Sequence, residues 1–574
     1  MKAEWNYQSP TPEQTRMQQE FCTEFGLSPA AGLLLVQRGL STTAEVQQFL
    51  HPSLDDLHDP FEYADMQLAV SRLEAALGNK EKILIYGDYD VDGTTATALI
   101  YKFLEQFCLA SRLDYYIPDR SDEGPGISEQ GIEYARVHGA TLIIAVDCGI
   151  KANDTIAEAK NLGIDVIICD HHTPGEILPP AFAILDAKTE HSTYPYSHLS
   201  GCGVAFKLMH AFATSNGIEL DKLHNLLDLC AVSIASDIVP LTGENRVLAA
   251  LGLKRLNQNP GKGLRGIIEV CGLTGKPVSM GDIIFKIGPR INACGRMLNG
   301  KMTVDLLLSK DSRTAREKSR NIDQFNDDRR ELDKKTTEAA YALLETHPEL
   351  FTGKIIVIFE PSWHKGVIGI VASRLADKLY KPTIILTESN GMICGSARSV
   401  TGFDLYAAVE STADILVNFG GHTSAVGITI EEKNLEAFKK SLEAYAEANM
   451  VQGQMTQTLN IDLVLNLSEL NDKLLNELNA MQPYGPENQK PVFCSLGVLD
   501  AGTSKLVGKE LEHIKLDLLD DSTTIPVPAI AFGMGKKFDI VKSGKPFDVC
   551  YTVEENTFAN ATTLQMLVKD IRER

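Results

Sequence analysis

Residues Tyr86-Gly-Asp-Tyr-Asp-Val-Asp-Gly93 place three carboxylates, Asp88, Asp90 and Asp92, at alternate positions. The apolar run Ile83-Leu84-Ile85-Tyr86 precedes them and reads as a buried strand. Thr94 comes next as the expected N-cap of a helix, with Ala96, Leu99, Ile100, Phe103, Leu104 and Phe107 at helical spacing. The carboxylates are therefore expected in the turn at the carboxyl end of a strand, where open α/β sheets build their sites. Three like charges so close repel one another, and a cation removes the conflict. A calcium loop would need a glutamate about six residues after the glycine. Leu99 occupies that place.

The surrounding chain offers a sheet to carry such a site. Strands are expected over 83–86, 113–117, 142–146, 166–169 and 183–185, with helical patterns between most of them. That alternation predicts a mainly parallel sheet covered by helices. Two more of these strands run into ligand-type residues, Asp147-Cys-Gly149 and Asp170-His-His172. A later apolar helix pattern ends at Asp237. A single Asp after a strand is an ordinary turn residue; several at the same end of one sheet point to a shared site. Carboxylates with few imidazoles and no thiolates suit Mn²⁺ or Mg²⁺ rather than structural zinc.

Composition narrows the class. The 574 residues make room for about four domains. The eleven cysteines are scattered without a Cys-x-x-Cys pair, as expected of reduced core residues in a cytoplasmic protein. The first residues carry no apolar leader pattern, and no apolar run is long enough to span a membrane. A net charge of −21 argues against a protein that coats nucleic acid non-specifically, but allows an enzyme with a local basic groove.

Asp88-Tyr-Asp-Val-Asp92, Val146-Asp-Cys-Gly149, Asp170-His-His172 and Ser236-Asp237 resemble the four motifs of the DHH phosphoesterase superfamily. Phe285-Lys-Ile-Gly-Pro-Arg-Ile-Asn-Ala-Cys-Gly-Arg296, Trp363-His-Lys-Gly-Val-Ile-Gly-Ile-Val-Ala-Ser-Arg374, Gly420-Gly-His422 and Gln482-Pro-Tyr-Gly-Pro-Glu-Asn488 are similar to segments of the RecJ-type single-stranded-DNA exonucleases. Tyr86 departs from the His found in many members, and Cys294 from a common Ala. The resemblance implies metal ligation by Asp90, Asp92, Asp147, His171 and Asp237, with Asp147 bridging two Mn²⁺ or Mg²⁺ ions. It implies that Asp88 supports or joins these ligands and that His172 is a ligand or a contact to the scissile phosphate, both catalytic together with Asp147. It also implies DNA contacts by Arg290, Arg296, Ser396, Arg398 and His422, with Arg120 a weaker candidate from the first lobe.

The expected architecture is α/β. A helical segment over 1–75 packs on the domain after it. That DHH domain spans 76–300. A long helix in 301–350 links it to a DHHA1 substrate-binding domain over 351–452. An OB-type β-barrel fills 453–574, where short alternating segments surround one helical stretch. Lys505, Lys509, Lys515, Lys536 and Lys537 are expected to line a groove on that barrel. The resemblance further implies a 5′→3′ exonuclease that degrades single-stranded DNA to 5′ mononucleotides in DNA repair and recombination; a monomer is the default expectation. Its implied partners are a single-strand-binding protein and a helicase. Two rivals stand beside it: a DHH hydrolase of short oligonucleotides, cyclic dinucleotides or pyrophosphate, and an inactive scaffold that binds DNA.

Overall fold

A computed structural model describes residues 4–7, 9–120, 122–124, 126–389, 391–450, 458–558 and 561–574 of the chain. They form two compact units. One comprises His58–Asp237 and Gly252–Gln457; the other comprises Ala3–Leu57, Ile238–Leu251 and Thr458–Arg574.

The first unit holds two α/β lobes. Five parallel strands make the first sheet, in the spatial order Leu113–Tyr116, Lys82–Gly87, Ala140–Val146, Asp165–Cys169, Ala183–Leu185. These are the five strands expected from the sequence. The three central ones are almost wholly apolar and buried, as strands covered on both faces must be. All five point the same way, so their carboxyl ends share one edge.

The helix after the Asp cluster begins earlier than expected. It spans Val91–Leu104, and its N-cap is Asp90, whose Oδ1 accepts from Gly93 N at 3.1 Å. Thr94 lies inside the first turn and donates from Oγ1 to Asp90 O at 2.6 Å. A carboxylate is the better cap for this helix, because it meets the positive end of the helix dipole. Asp88 thus sits in the turn, Asp90 caps the helix, and Asp92 is on it.

The second lobe has a mixed sheet, ordered Asn418–His422, Ala425–Ile430, Met392–Arg398, Thr383–Ser389, Ile356–Phe359. Only the last pair is parallel. Helix Lys365–Leu379 covers one face. The linking segment is two helices rather than one: Lys301–Leu307, then Ser312–Thr346 capped by Asp311. The long helix packs on Lys262–Val270 and Gly288–Met297 of the first lobe and on Lys365–Leu379 of the second. Buried Asp333, midway along it, accepts from Arg374 Nη2 at 2.6 Å.

The second unit is a closed five-strand barrel: Phe493–Asp500, Phe547–Phe558, Ala561–Glu573, Thr523–Ala531 and His513–Asp520, shut by pairing of Leu499 with Leu519. The N-terminal segment departs from expectation. Strand Glu4–Tyr7 pairs in parallel with Thr458–Ile461, and Phe21, Leu34, Leu35 and Val46 from the first helices join the barrel core. Residues up to Leu57 therefore belong with the barrel, and only those from His58 join the first lobe. The amphipathic pattern of these helices shows that they bury a face but not which partner covers it. The expected boundary at 452/453 lies outside the described residues.

Arg246 ties three parts of this second unit together. Its guanidinium lies 3.6 Å from the centre of the Phe49 ring. It donates to Phe49 O at 2.9 and 2.7 Å, and to Met481 O and Gln482 O at 3.1 Å. Lys537 of the expected basic groove is also engaged, in an ion pair with Asp570. Lys505, Lys509, Lys515 and Lys536 are exposed.

Candidate metal centre and anion pocket

The carboxyl edge of the first sheet gathers the predicted ligands. Asp88, Asp90 and Asp147 have carboxylate oxygens mutually within 4.8 Å. So do ligand atoms of Asp92, His171 and Asp237, and of Asp147, His171 and His172. His171 Nε2 lies 3.1 Å from Asp147 Oδ1, 3.7 Å from Asp237 Oδ2 and 3.8 Å from Asp92 Oδ2.

The backbone is shaped to bring Asp147 inward. Its φ is +59°, a left-handed conformation that Asp tolerates better than most residues. Its N–H donates to Cys169 O at 2.9 Å, which locks the strand end. Gly201 lies against it; a Cβ there would stand 2.6 Å from Asp147 Cβ and 2.7 Å from Oδ1. Only glycine allows this approach.

Asp92 is held by a second helix. Its Oδ2 accepts from Gly201 N and its Oδ1 from Cys202 N, both at 2.7 Å, at the start of helix Gly201–Ser215. Ser233 Oγ donates to Oδ1 at 2.7 Å. Asp170 plays the same part for the imidazoles. Its Oδ1 accepts from His171 N at 2.8 Å, His172 N at 3.2 Å and His172 Nδ1 at 2.8 Å, and its Oδ2 from Ile150 N at 3.0 Å. Sequence reasoning alone gives Asp170 no role of its own and does not pick out Ser233 or the Gly201–Ser215 helix start as site residues. Asp170 carries the signal of its Asp-His-His motif. The Ser200-Gly-Cys-Gly203 stretch carries only a capping signal.

Three buried atoms in this cluster have no hydrogen-bond partner among the described residues: Asp88 Oδ1, Asp147 Oδ1 and His171 Nε2. Buried polar atoms are normally satisfied. Orphans that converge from three motifs mark a place for a bound cation, and the oxygen-rich donor set fits hard divalent ions. The electrostatics agree. Burial, then the charge of Asp90, pushes the Asp88 carboxyl up to about 7. The same two causes raise Asp92 to about 6. Burial and the surrounding carboxylates push Asp147 and Asp237 well above the usual carboxylate range. Burial drives His171 down to about 3, so it stays neutral and able to ligate. Burial opposes the charge on His172, but its bond to Asp170 prevails and raises it to about 9.

A cavity of about 650 Å³ opens beside this cluster. Asp88, Asp147 and His172 line it from the first lobe; Ser396, Arg398 and His422 line it from the second. The His172 and His422 rings stack nearly parallel across it, with centroids 6.3 Å apart. Arg120 and Arg296 also line it. Arg120 stacks over the Tyr89 ring at 5.0 Å, and Arg296 Nη1 donates to Gly366 O at 3.2 Å. Arg398 Nη1 donates to Ser396 Oγ at 2.9 Å. Gly369, on the covering helix, makes room for this pair: a Cβ there would stand 2.8 Å from Ser396 Oγ and 3.2 Å from Arg398 Nη2.

Burial lowers Arg296 to about 9, and the charges of Arg120, Arg329 and Arg398 push it the same way. Mutually repelling guanidinium groups at a cavity wall call for an anion. Arg290 is the exception among the predicted DNA contacts. It does not line the cavity, and its Nε is paired with Asp323 on the long helix at 2.8 Å. Lys151 lines the cavity although no motif marks it, and Lys365 lines it from within the Trp363–Arg374 segment. Isolated lysines in a sequence carry no signal of where they converge.

Comparison with known proteins places these features in one group. The DHH family N-terminal domain model matches 82–234, the DHHA1 domain model 352–448 and the RecJ OB domain model 461–570. The single-stranded-DNA-specific exonuclease RecJ of Bacillus subtilis is 35% identical over 572 residues, covering 99% of this chain and 71% of that protein. Its counterpart in Haemophilus influenzae is 31% identical, covering 94% of this chain and 95% of the relative. The crystal structure of Thermus thermophilus RecJ in complex with Mn²⁺ superposes with a TM-score of 0.84 at 27% identity, covering all of this chain and 80% of that one.

Proposed function

The chain belongs to the RecJ family of single-stranded-DNA-specific exonucleases, and from that membership and the geometry of its cleft we propose that it degrades single-stranded DNA from the 5′ end, releasing 5′ mononucleotides. The observation that carries this reading is the pairing, in one cavity, of a carboxylate–imidazole cluster with an array of guanidinium groups. The cluster suits hydrolysis of a phosphodiester. The array suits a terminal phosphate, whose dianion pairs with forked donors better than a mid-chain monoanion does.

Asp88, Asp90 and Asp147 would hold one Mn²⁺ or Mg²⁺ ion; Asp92, His171 and Asp237 would hold the other, with Asp147 shared between them. When bound, such ions supply positive charge for the scissile phosphate and lower the pKa of water. The protein's own groups do the rest. Asp170 fixes the His172 ring and keeps it cationic, ready to steady charge on the phosphate. Arg120, Arg296, Ser396 and Arg398 hold the 5′ phosphate, and His422 closes the cavity opposite His172. Anchoring the end sets the polarity: the bond that lies over the carboxylates is the first one in from that phosphate.

In this reading the catalytic domain runs over 76–300, the linking segment over 301–350, the DNA-gripping domain over 351–452 and the OB module from 453. The barrel adds affinity for strand beyond the cleft. Its match to the RecJ OB model speaks for polymeric DNA over a dinucleotide or pyrophosphate. Among the described residues no helix is long and apolar enough to cross a membrane. Action as a cytoplasmic monomer, on strand supplied by a helicase and a single-strand-binding protein, completes the proposal. Its test is the product: 5′-phosphorylated single strand should yield mononucleotides from the first turnover, and accumulation of dinucleotides as end product would point instead to a short-substrate hydrolase.

A further inference from the structure

The first lobe contains a second cavity, of about 570 Å³, that shares no lining residue with the catalytic cleft. It lies where helix Val91–Leu104 ends, where Leu227–Asp237 begins and where Lys262–Val270 begins. Its charge is unlike that of the protein as a whole. Lys102, Arg255, Lys262, Arg265 and Lys310 face only two carboxylates, Glu105 and Asp228, a net +3 in a chain of −21.

Those two carboxylates are already engaged. Glu105 Oε2 is 2.9 Å from Lys310 Nζ. Asp228 accepts from Gly261 N at 2.7 Å and Leu229 N at 3.1 Å. Arg255 Nε is buried with no hydrogen-bond partner among the described residues. Burial pulls the Lys102 ammonium down, and Lys262 and Lys310 push it the same way against the charge of Asp228. Helix Lys262–Val270 starts at Gly261 with no side-chain cap, which leaves the first N–H groups available to an anion. The remaining wall is mixed: half-buried Leu226 and the edges of the core residues Leu229, Leu264 and Leu307 line it beside Asn225, Asn259 and Ser309. A merely solvated basic patch would not bury Arg255 Nε.

We propose that this cavity is a binding site for a nucleoside monophosphate, with the phosphate on Lys102, Arg255 and the start of helix Lys262–Val270, and the base against the leucines. The volume is that of a small-molecule site. A phosphate dianion offsets most of the local positive charge, and guanidinium and helix N-terminus are its usual partners. The choice of a nucleoside monophosphate rests on the exonuclease reading, which makes it the product; the need for a phosphorylated anion does not. The position gives such binding a route to the site. Lys102 stands on the helix that carries Asp92, and Asp228 on the helix that ends in Asp237.

The test uses the full chain with EDTA present and Arg398→Ala in place, so that hydrolysis is absent and the cleft pocket is weakened. Deoxyadenosine 5′-monophosphate is titrated by calorimetry, and hydrogen exchange is followed with and without it. One site should remain, with slowed exchange over 225–229 and 259–265. Adding Lys102→Gln and Arg255→Gln should weaken it at least tenfold, while hydrolysis of single-stranded DNA by the chain with Arg398 restored stays unchanged. Unaltered affinity in that variant, or slowed exchange confined to the cleft, overturns the proposal. Inorganic phosphate binding as tightly as the nucleotide overturns the nucleotide assignment. If the double substitution unfolds the lobe, the exchange map of the Arg398→Ala parent decides alone. A chain that binds the nucleotide here but degrades no DNA would leave this site standing and remove the exonuclease reading.

Discussion

His171 Nε2 lies 3.1 Å from Asp147 Oδ1, and both atoms are buried without a hydrogen-bond partner among the described residues. Two polar atoms held this close and left unsatisfied would be costly in a protein that meant to leave them so. They make sense as two donors to one cation, and that sets the first prediction. Asp147→Asn keeps the size of the side chain and a residue type that tolerates φ of +59°. It should lower strand cleavage at least about a thousandfold, the scale on which removing one preorganised catalytic group acts. The unfolding midpoint without metal should stay the same or rise, because a repelling carboxylate has gone. Gel-resolved cleavage beside a thermal melt checks both halves.

Metal binding should depend on pH with a defined sign. Asp88 near 7 and Asp92 near 6 stand above their unfolded value near 3.8. Raised carboxyls of this kind favour the metal-free fold at low pH, and that contribution is lost as pH rises through 6 to 7. Cation binding reverses the balance, since it needs the ionised forms. The rise in melting temperature on adding Mn²⁺ should therefore be small at pH 5.5 and large at pH 8. Equal rises at both pH values would contradict the assignment of these carboxyls to the metal centre.

Arg398→Ala should separate two substrates. The guanidinium is shared between Ser396 Oγ and the cavity, close to Arg120 and Arg296. Its loss should reduce kcat/KM on 5′-phosphorylated strands at least about tenfold more than on 5′-hydroxyl strands, the worth of one charge-assisted hydrogen bond of about 1.5–3 kcal/mol. Parallel losses on both ends would show that Arg398 does not read the terminal phosphate.

Arg246 allows a prediction about stability rather than chemistry. Its removal takes the guanidinium donors from the Phe49 and Gln482 carbonyls, leaves Met481 O with Asn488 Nδ2 alone, and empties the face of the Phe49 ring. Arg246→Ala should destabilise the barrel unit by about 3 kcal/mol. Hydrogen exchange over the barrel strands should speed up, while the five-strand parallel sheet is unaffected. Unchanged exchange in the barrel would remove the strut assigned to this residue.

Sequence and structure part company for identifiable physical reasons. The candidate metal centre is legible because most of its acid and imidazole side chains come at or soon after the ends of buried strands at one sheet edge, and a parallel sheet converges whatever stands there. The helix start is not, because Asp90 can be read either as a ligand or as a cap, and the structure shows that it caps while facing the cluster. The linking segment reads as one helix because helix formers run through 301–350; Asp311 restarts it. The partner of the N-terminal helices is hidden because an apolar face does not encode what covers it. Strand Glu4–Tyr7, which ties them to the barrel, is only four residues long. Arginines are the least legible. Arg290, Arg296 and Arg246 look alike in sequence, yet one is ion-paired, one lines the cleft and one braces the barrel unit.

The most direct test of the central claim uses one single strand, labelled on its 5′ phosphate, with and without Mn²⁺, beside the same strand in a blunt duplex. The account predicts immediate release of labelled mononucleotide from the single strand alone, and only with metal. Shortening from the 3′ end with the label retained, or equal attack on the duplex, would contradict a 5′ phosphate held by Arg120, Arg296 and Arg398 above the Asp147 cluster.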